Sequence, residues 1–345
     1  MRIVNKFENM DDFVSYDAEL ITLVEGTTCL LNGDPKENGD QRTDKNTEKA
    51  EVSAFRIKRV IRDDLSNRGH VIFVSEGEEG KPVPEETRRN EIMIMNGFKE
   101  YKNIKKEKVD IPLVKRIIPE TCIDGRLFGN ALSAHVTGCF QFKHICKSLN
   151  KIEKRTIDLT SNFTSDVKKK SGAMGDSRIA EYVIIPFTGS ISKLTALHNK
   201  CTNADILEAL AGIWEGFNMH NSCVGNNYQC KMLLYINYKN PEENDYPVKI
   251  RRKIGNLHKS FEMEIIDEDE EFVRQSEDYI IKIDNLMEML QYNEDIVKNI
   301  YIIQYRHGMT YKHGETIVDN VAEYIDDKMN FEVNLIPWGE AVNQG

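Results

Sequence analysis

No apolar run in this 345-residue chain approaches the roughly 20 residues needed to cross a bilayer. The first nineteen residues are acidic and lack the basic-then-apolar order of a secretion signal, so a cytoplasmic protein with no membrane partner is expected. Cysteine is sparse and odd in number: seven, at 29, 122, 139, 146, 201, 223 and 230. A chain this long with an odd count is not a disulfide scaffold. The pairs 139/146 and 223/230 are seven apart, wider than the two to four residues usual between zinc ligands, so thiols in a reducing compartment are expected and no metal. Gly-x-Ser-x-Gly, P-loop, Gly-x-Gly-x-x-Gly and His-Glu-x-x-His motifs are all missing. His220 and Cys223 have the residue types of a nucleophile pair, but they end an apolar helical stripe, where packing is the expected role. The expectation is therefore no catalytic residue and no cofactor.

A positive net charge is also missing. The chain carries −10, which argues against indiscriminate nucleic-acid binding but leaves room for a local basic groove. The charge is unevenly spread. Lys143 to Arg178 is net +5 and Lys99 to Arg116 net +4, whereas Glu262 to Asp278 is net −8 and the stretch from Glu315 onward net −6. Each run by itself reads as a solvated face. Together they suit a protein with one face on phosphates and another turned away.

What is present is an alternation of strand and helix patterns. Leu20 to Leu31 reads as a strand, and Asn32 to Glu51 as a polar loop with two Gly-Asp pairs. Val52 to Leu65 reads as a helix on which Lys58, Arg59 and Arg62 share an arc of about 100°. Val71 to Val74 reads as a short strand, Ser75 to Thr87 as a loop and Thr87 to Lys108 as a charged helix. Cys139 to Phe142 and Glu181 to Phe187 read as strands. Leu149 to Met174 is polar and basic, with too little apolar area to belong to a core, and reads as a projecting hairpin. Thr202 and Asp205 form a capping pair ahead of Ile206, Leu207, Leu210, Ile213, Trp214 and Phe217 at helical spacing. Met232 to Tyr238, Asp278 to Ile283 and Ile300 to Tyr305 read as strands, with a short helix at Asn285 to Leu290. This order predicts one α+β domain over 1–345, enlarged by insertions at about 75–118 and 149–176.

Four places carry a family pattern. Asn32-Gly-Asp-Pro closes the first strand, with Arg42-Thr-Asp in the loop after it. Phe55-Arg-Ile-Lys-Arg-Val-Ile-Arg-Asp opens the first helix. Arg126-Leu-Phe-Gly leads to Thr137-Gly-Cys-Phe-Gln-Phe. Met174-Gly-Asp-Ser-Arg precedes a Tyr-Val-Ile-Ile-Pro strand and the Trp214 helix. In order and spacing the chain resembles the Cas-seven family, the backbone subunits of type I CRISPR surveillance complexes, and in particular the I-B and I-C branches. It departs in having Asp124-Gly-Arg where the family commonly has Asp-Val-Arg, and Gly138-Cys-Phe-Gln-Phe in place of Gly-Pro-Val-Gln-Phe. The resemblance is weak after Tyr238.

The resemblance implies a modified RRM (ferredoxin-like) palm, helical fingers at 75–118 and a thumb hairpin at 149–176. It implies a CRISPR RNA-binding subunit that polymerises along the guide. The partners are further copies of itself, other Cascade subunits and, through the guide, target DNA. Such a protein holds sugar and phosphate while base pairing reads the sequence. The RNA-binding candidates are Arg56, Lys58, Arg59 and Arg62 on the first helix, Arg126, Phe128 and Gly129, Gln141, and Lys168, Lys169, Lys170 and Met174 in the thumb. Against these stand plainer readings: a solvated helix face, core packing for Phe128, and solubility for the lysine triplet. Two alternatives remain open. One is a metal-dependent endoribonuclease of type III character using Asp34, with Asp40 and Asp44 nearby, although carboxylates in a Gly-rich turn are usually turn formers. The other is a stand-alone RRM-like RNA-binding protein.

Overall fold

The computed structural model describes residues 2–3, 9–75, 83–130, 135–160, 174–218, 227–240, 253–267, 269, 271–305 and 308–336. Along the chain come β1 (Arg2–Ile3), β2 (Ala18–Cys29), β3 (Lys49–Ser53), α1 (Ala54–Asn67), α2 (Glu85–Met95), α3 (Ile111–Thr121) and α4 (Ile123–Leu127). Next are β4 (Gly129–Asn130), β5 (Val136–Thr137), β6 (Phe140–Phe142), β7 (Ile145–Lys151), β8 (Lys154–Thr160), β9 (Met174–Ile191), α5 (Lys193–His198) and α6 (Asn203–Asn218). The remainder is β10 (Tyr228–Tyr238), β11 (Glu262–Ile265), β12 (Tyr279–Lys282), α7 (Asp284–Tyr292), β13 (Val297–Gln304), β14 (Tyr311–His313), β15 (Thr316–Val318), α8 (Val321–Lys328) and β16 (Glu332–Leu335). The α+β expectation holds.

The main sheet runs β1-β16-β13-β10-β2-β9-β6, with β8 also on β9. Its middle strands β2, β9 and β10 are antiparallel to their neighbours. They are the near-continuous apolar runs of the sequence, because they are buried on both faces. Leu20, Val24, Val183, Ile185, Leu233 and Tyr235 point to one face, and Ile21, Leu23, Ile184, Leu234 and Ile236 to the other. The first face is covered by α1 and α6. The second is covered by α7, α8 and a smaller sheet of order β11-β12-β14-β15. The chain after Tyr238, where the sequence resembles the family least, thus supplies the second cover. Residues of α2 and α3 form a separate small core around Phe73, Tyr101 and Ile118.

Ser53 caps α1, its Oγ accepting from Arg56 N (3.4 Å), and Asn32 Oδ1 holds Ser53 by accepting from its amide (2.9 Å) and its hydroxyl (3.0 Å). The α6 start is capped reciprocally: Asp205 N donates to Thr202 Oγ1 (3.3 Å), and Thr202 N to Asp205 Oδ2 (2.9 Å). The two helices approach closely because α6 presents glycines at i and i+4. A Cβ on Gly212 would lie 2.9 Å from Ile61 Cγ2, and one on Gly216 would lie 2.9 Å from Val60 Cγ1.

Three expectations are corrected. Val71 to Val74 is not a strand, because the amides of Phe73 and Val74 donate to the Asp124 carboxylate instead of to a neighbouring strand. The charged helix stops at Met95, where Gly97 takes φ +91°, and continues as single turns at Lys99–Asn103 and Lys106–Lys108. The segment from Leu149 to Ile152 belongs to the body. Asn150 is buried, its Nδ2 donating to Tyr182 O (3.0 Å) and its Oδ1 accepting from Ile184 N (3.0 Å). The β8–β9 arm begins at Lys154 and pairs in register from Lys154↔Ala180 to Thr160↔Met174. Lys168, Lys169 and Lys170 lie outside the described residues, as do His220 and Cys223 and the side chain of Met174.

The six described cysteines are buried and unbridged. Burial pushes the Cys122 and Cys230 thiols up to about 12, so they stay protonated and inert.

The glycine contact between helices gives a test. Gly216→Val places a branched side chain against buried Val60, and overpacking of this kind costs about 1–3 kcal/mol. Urea unfolding should show a lower midpoint with an unchanged slope. An unchanged midpoint would mean that α1 and α6 are not in close contact.

Candidate nucleic-acid interface

Three of the four motif segments meet at the amino-terminal half of α1, while the fourth, from Met174, pairs along β8. Gln141, on β6, is their junction. Its Nε2 donates to the carbonyls of Phe128 (3.2 Å) and Gly138 (2.9 Å), and its Oε1 accepts from Lys58 Nζ at 2.6 Å. Lys58 Nζ also lies 5.7 Å from the Phe128 ring centroid, and the Arg62 guanidinium lies 5.2 Å from it. Desolvation, with the nearby Arg62 charge adding to it, lowers the Lys58 ammonium to about 8. A cation held in this way gains from an arriving anion.

Gly129 is required by its backbone. It has φ +69°, and a Cβ there would fall 2.0 Å from Val136 O. A Cβ on Gly138 would fall 2.2 Å from the Phe128 carbonyl carbon. The two glycines let the strand β6 press against the end of α4, which sets Gln141 beneath Lys58. Gly125 has Ile118 Cγ2 at 3.0 Å from a built Cβ, leaving little room for a side chain.

The predicted arginines divide. Arg62 is buried and pairs with Asp124, which is fully buried and also accepts the amides of Phe73 (2.7 Å) and Val74 (3.1 Å). Arg126 makes two bonds to Asp205 (2.6 and 2.8 Å) and one to Pro119 O (2.9 Å), tying α4 to the cap of α6. Both are committed inward. Arg59 lies along Asp63 (2.6 Å) one turn on. Arg56 donates Nε to Leu31 O (2.9 Å), fastening the chain just after β2 to the helix start. Phe128 is buried, its ring tilted against those of Phe140 and Phe142, as its core reading required. Of the helix cations, Lys58 is the one turned to a half-open polar junction.

Three residues that the motif reading passed over complete the surface. Phe55 is 71% exposed, its ring edge-on to His144 at 6.0 Å, and Lys143 beside them is exposed. An apolar ring standing clear on an amphipathic helix was the available signal. The first turn of α1 holds no acidic residue, and its Arg56 and Ala54 amides donate to the Ser53 hydroxyl (3.4 Å) and the His144 carbonyl (2.9 Å).

The carboxylates of the Gly-rich loop are all engaged within the chain. Asp34 accepts the Lys36 amide (3.0 Å) and lies 3.5 Å from Arg42 Nε. Asp40 accepts the Arg178 amide (3.2 Å). The Lys147 ammonium, with help from the Asn46 amide and the Thr47 hydroxyl, lowers Asp44 to about 2.

A family model described as CRISPR-associated protein Cas7 matches residues 17–284, well over half of the chain. The chain belongs to the Cas7 family. A CRISPR-associated protein Cas7 of Haloferax volcanii is 24% identical over 313 residues, covering 83% of this chain and 86% of its own. Two solved chains, titled a CRISPR RNA-guided surveillance complex and the same in a pre-nicking state, superpose with TM-scores of 0.42 and 0.45. Both are 11% identical to this chain. They cover 84% and 87% of it, and 88% and 96% of their own lengths. The family match runs past Tyr238 into the second cover, further than the motifs alone reach.

The Arg62–Asp124 pair is testable as a structural element. Asp124→Ala leaves a buried guanidinium and two amides without their acceptor, and breaking a buried pair costs about 3–5 kcal/mol. Denaturant unfolding should show this loss. A change within about 0.5 kcal/mol, the range typical of surface positions, would mean the pair is solvated.

Proposed function

We propose that this Cas7-family chain is a CRISPR RNA-binding structural subunit of a type I interference complex. It polymerises along the guide and presents it to target DNA, with other Cascade subunits as partners. The observation that carries the reading is the Lys58–Gln141 contact at 2.6 Å, which joins the helix, glycine and strand motifs of the family into one polar surface. Lys58 and Lys143 are suited to phosphates, and the Phe55–His144 pair to an unstacked base. These are sequence-independent contacts, as a protein carrying any guide requires.

Topology supports the modified RRM reading. The order β2, α1, β6 with β8, β9, α6, β10 is βαββαβ, and the spatial order β10-β2-β9-β6 is that of a ferredoxin-like sheet with α1 and α6 on one face. In this reading α2 and α3 are the fingers, and the arm β8–β9 is the thumb that reaches over RNA. The lysine triplet between its strands remains a proposed phosphate contact. The engaged loop carboxylates favour a scaffold over an Asp34-dependent nuclease. Among the described residues no helix is long and apolar enough to cross a membrane.

Two measurements test the surface. Lys58→Ala with Lys143→Ala should weaken binding of guide RNAs of unrelated sequence alike, and flatten the log–log salt slope by about 1.4 for two lost phosphate contacts. An unchanged slope would remove these lysines from the interface. The pH dependence has a definite sign. Lys58 titrates at about 8 in the free protein, so its charge is lost as pH rises from 7 to 9 and RNA affinity should fall over that window. Lys58→Arg, always charged, should lessen that fall. Identical pH profiles for the two proteins would rule out Lys58 as a contact.

A further inference from the structure

A second charged surface lies away from the α1 junction. Between α3, α5 and the β5 strand is an open groove of about 700 Å³. Its rim carries Lys115, Arg116, His198 and Lys200, and its wall includes Pro112 and Leu194, the latter 72% exposed. Lys200 is paired with Glu120 (2.8 Å), whereas Lys115 and Arg116 have no carboxylate partner among the described residues. The apolar wall and the Glu120 carboxylate within the groove disfavour a phosphate backbone, and favour a segment that alternates apolar and acidic residues.

This chain displays such a segment. Glu262 to Asp278 is net −8, and within it Ile266 is 59% exposed, flanked by Ile265 and by exposed Asp267 and Asp269. The backbone at Ile266 is anchored, its N donating to Asp278 O at 2.9 Å. Among the described residues, Asp267 accepts only the Asp269 amide (3.1 Å). The segment stands on the cover of the second sheet face, with Phe261, Val273 and Tyr279 in that core. The groove stands on the first side, with Ala196 of α5 and Leu127 of α4 in the other core. The main sheet therefore separates the two within one molecule.

We infer that the basic groove at α3 and α5 receives the acidic Ile266 segment of a second copy of this chain. Ile266 meets Leu194 and Pro112, while Asp267 and Asp269 meet Lys115 and Arg116. Two different surfaces on opposite sides make a heterologous, head-to-tail contact, which propagates as an open array. Opposite charges in this arrangement also fix the direction of stacking. The inference rests on the scaffold reading and adds to it the surface through which copies adjoin.

The test uses charge reversal at exposed positions, with two readouts. Lys115→Glu/Arg116→Glu and Asp267→Lys/Asp269→Lys are made separately and then on one chain. On a long guide RNA, each separate variant should need about tenfold more protein, or higher still, to place copies side by side. The chain carrying all four changes should regain wild-type loading, and so should a mixture of the two separate variants. On an RNA long enough for one copy, affinity should stay within about twofold for all. Sedimentation of the RNA-free chains at high concentration should show the same loss and rescue of association. Unchanged loading and association in both separate variants, or no rescue by the combined chain, would overturn the contact. Loss of one-copy RNA affinity on reversing Lys115 and Arg116 would show the groove to be an RNA site instead. If no variant, nor the wild type, binds the one-copy RNA, the scaffold reading fails, and the RNA-free association still decides this contact.

Discussion

The buried carboxylate of Asp124 is the constraint on which the interface depends. It is fully enclosed, and its partners are the Arg62 guanidinium and the amides of Phe73 and Val74. Those partners come from α1 and from the segment that leads into the α2–α3 insertion. An ionised group so placed is tolerable only with every partner in position. The same pair swings Arg62 over one side of Phe128, leaving the other cation near that ring, Lys58, for the surface. Helix α1, the glycine turn and the insertion are thereby held as one unit, and the polar junction at Gln141 follows from it.

A second consequence concerns which cations are free to act. Arginine forks suit buried carboxylates because they match them with two parallel bonds. Arg126 does this with Asp205, and Arg62 binds Asp124 through Nε. The lysines, carrying a point charge on a flexible stem, are what the surface retains. Lys58 is the intermediate case, sheltered enough to have its proton loosened yet facing a half-open junction. An RNA phosphate arriving there would restore the charge that burial has weakened.

The two-sided burial of the main sheet explains the length of the chain. A sheet with helices on one face alone would expose Ile21, Leu23, Ile184, Leu234 and Ile236 to water. The residues from about 254 to 336 cover that face and bring with them the acidic segment. Acidic residues on one side and basic ones on the other are thus a result of how the chain closes its second layer.

The sequence by itself determined most of the element types and the family. Strands buried on both faces must be apolar throughout, so Leu20–Val24 and Met232–Tyr238 stood out. The Thr202–Asp205 cap announced α6, because capping chemistry is local. Turn glycines and the motif order were legible for the same reason. The tertiary structure decided what local patterns cannot hold. Lys58, Arg59 and Arg62 share one helical arc, yet Asp124, 62 residues beyond Arg62, takes that arginine inward. Arg126 likewise goes to Asp205, 79 residues away. Val71 to Val74 had the composition of a strand but gave its amides to a distant carboxylate. Leu149 to Ile152 looked too polar for a core until Asn150 found the backbone of β9. In each case the deciding partner is remote in sequence, and a buried polar group goes wherever its hydrogen bonds can be satisfied.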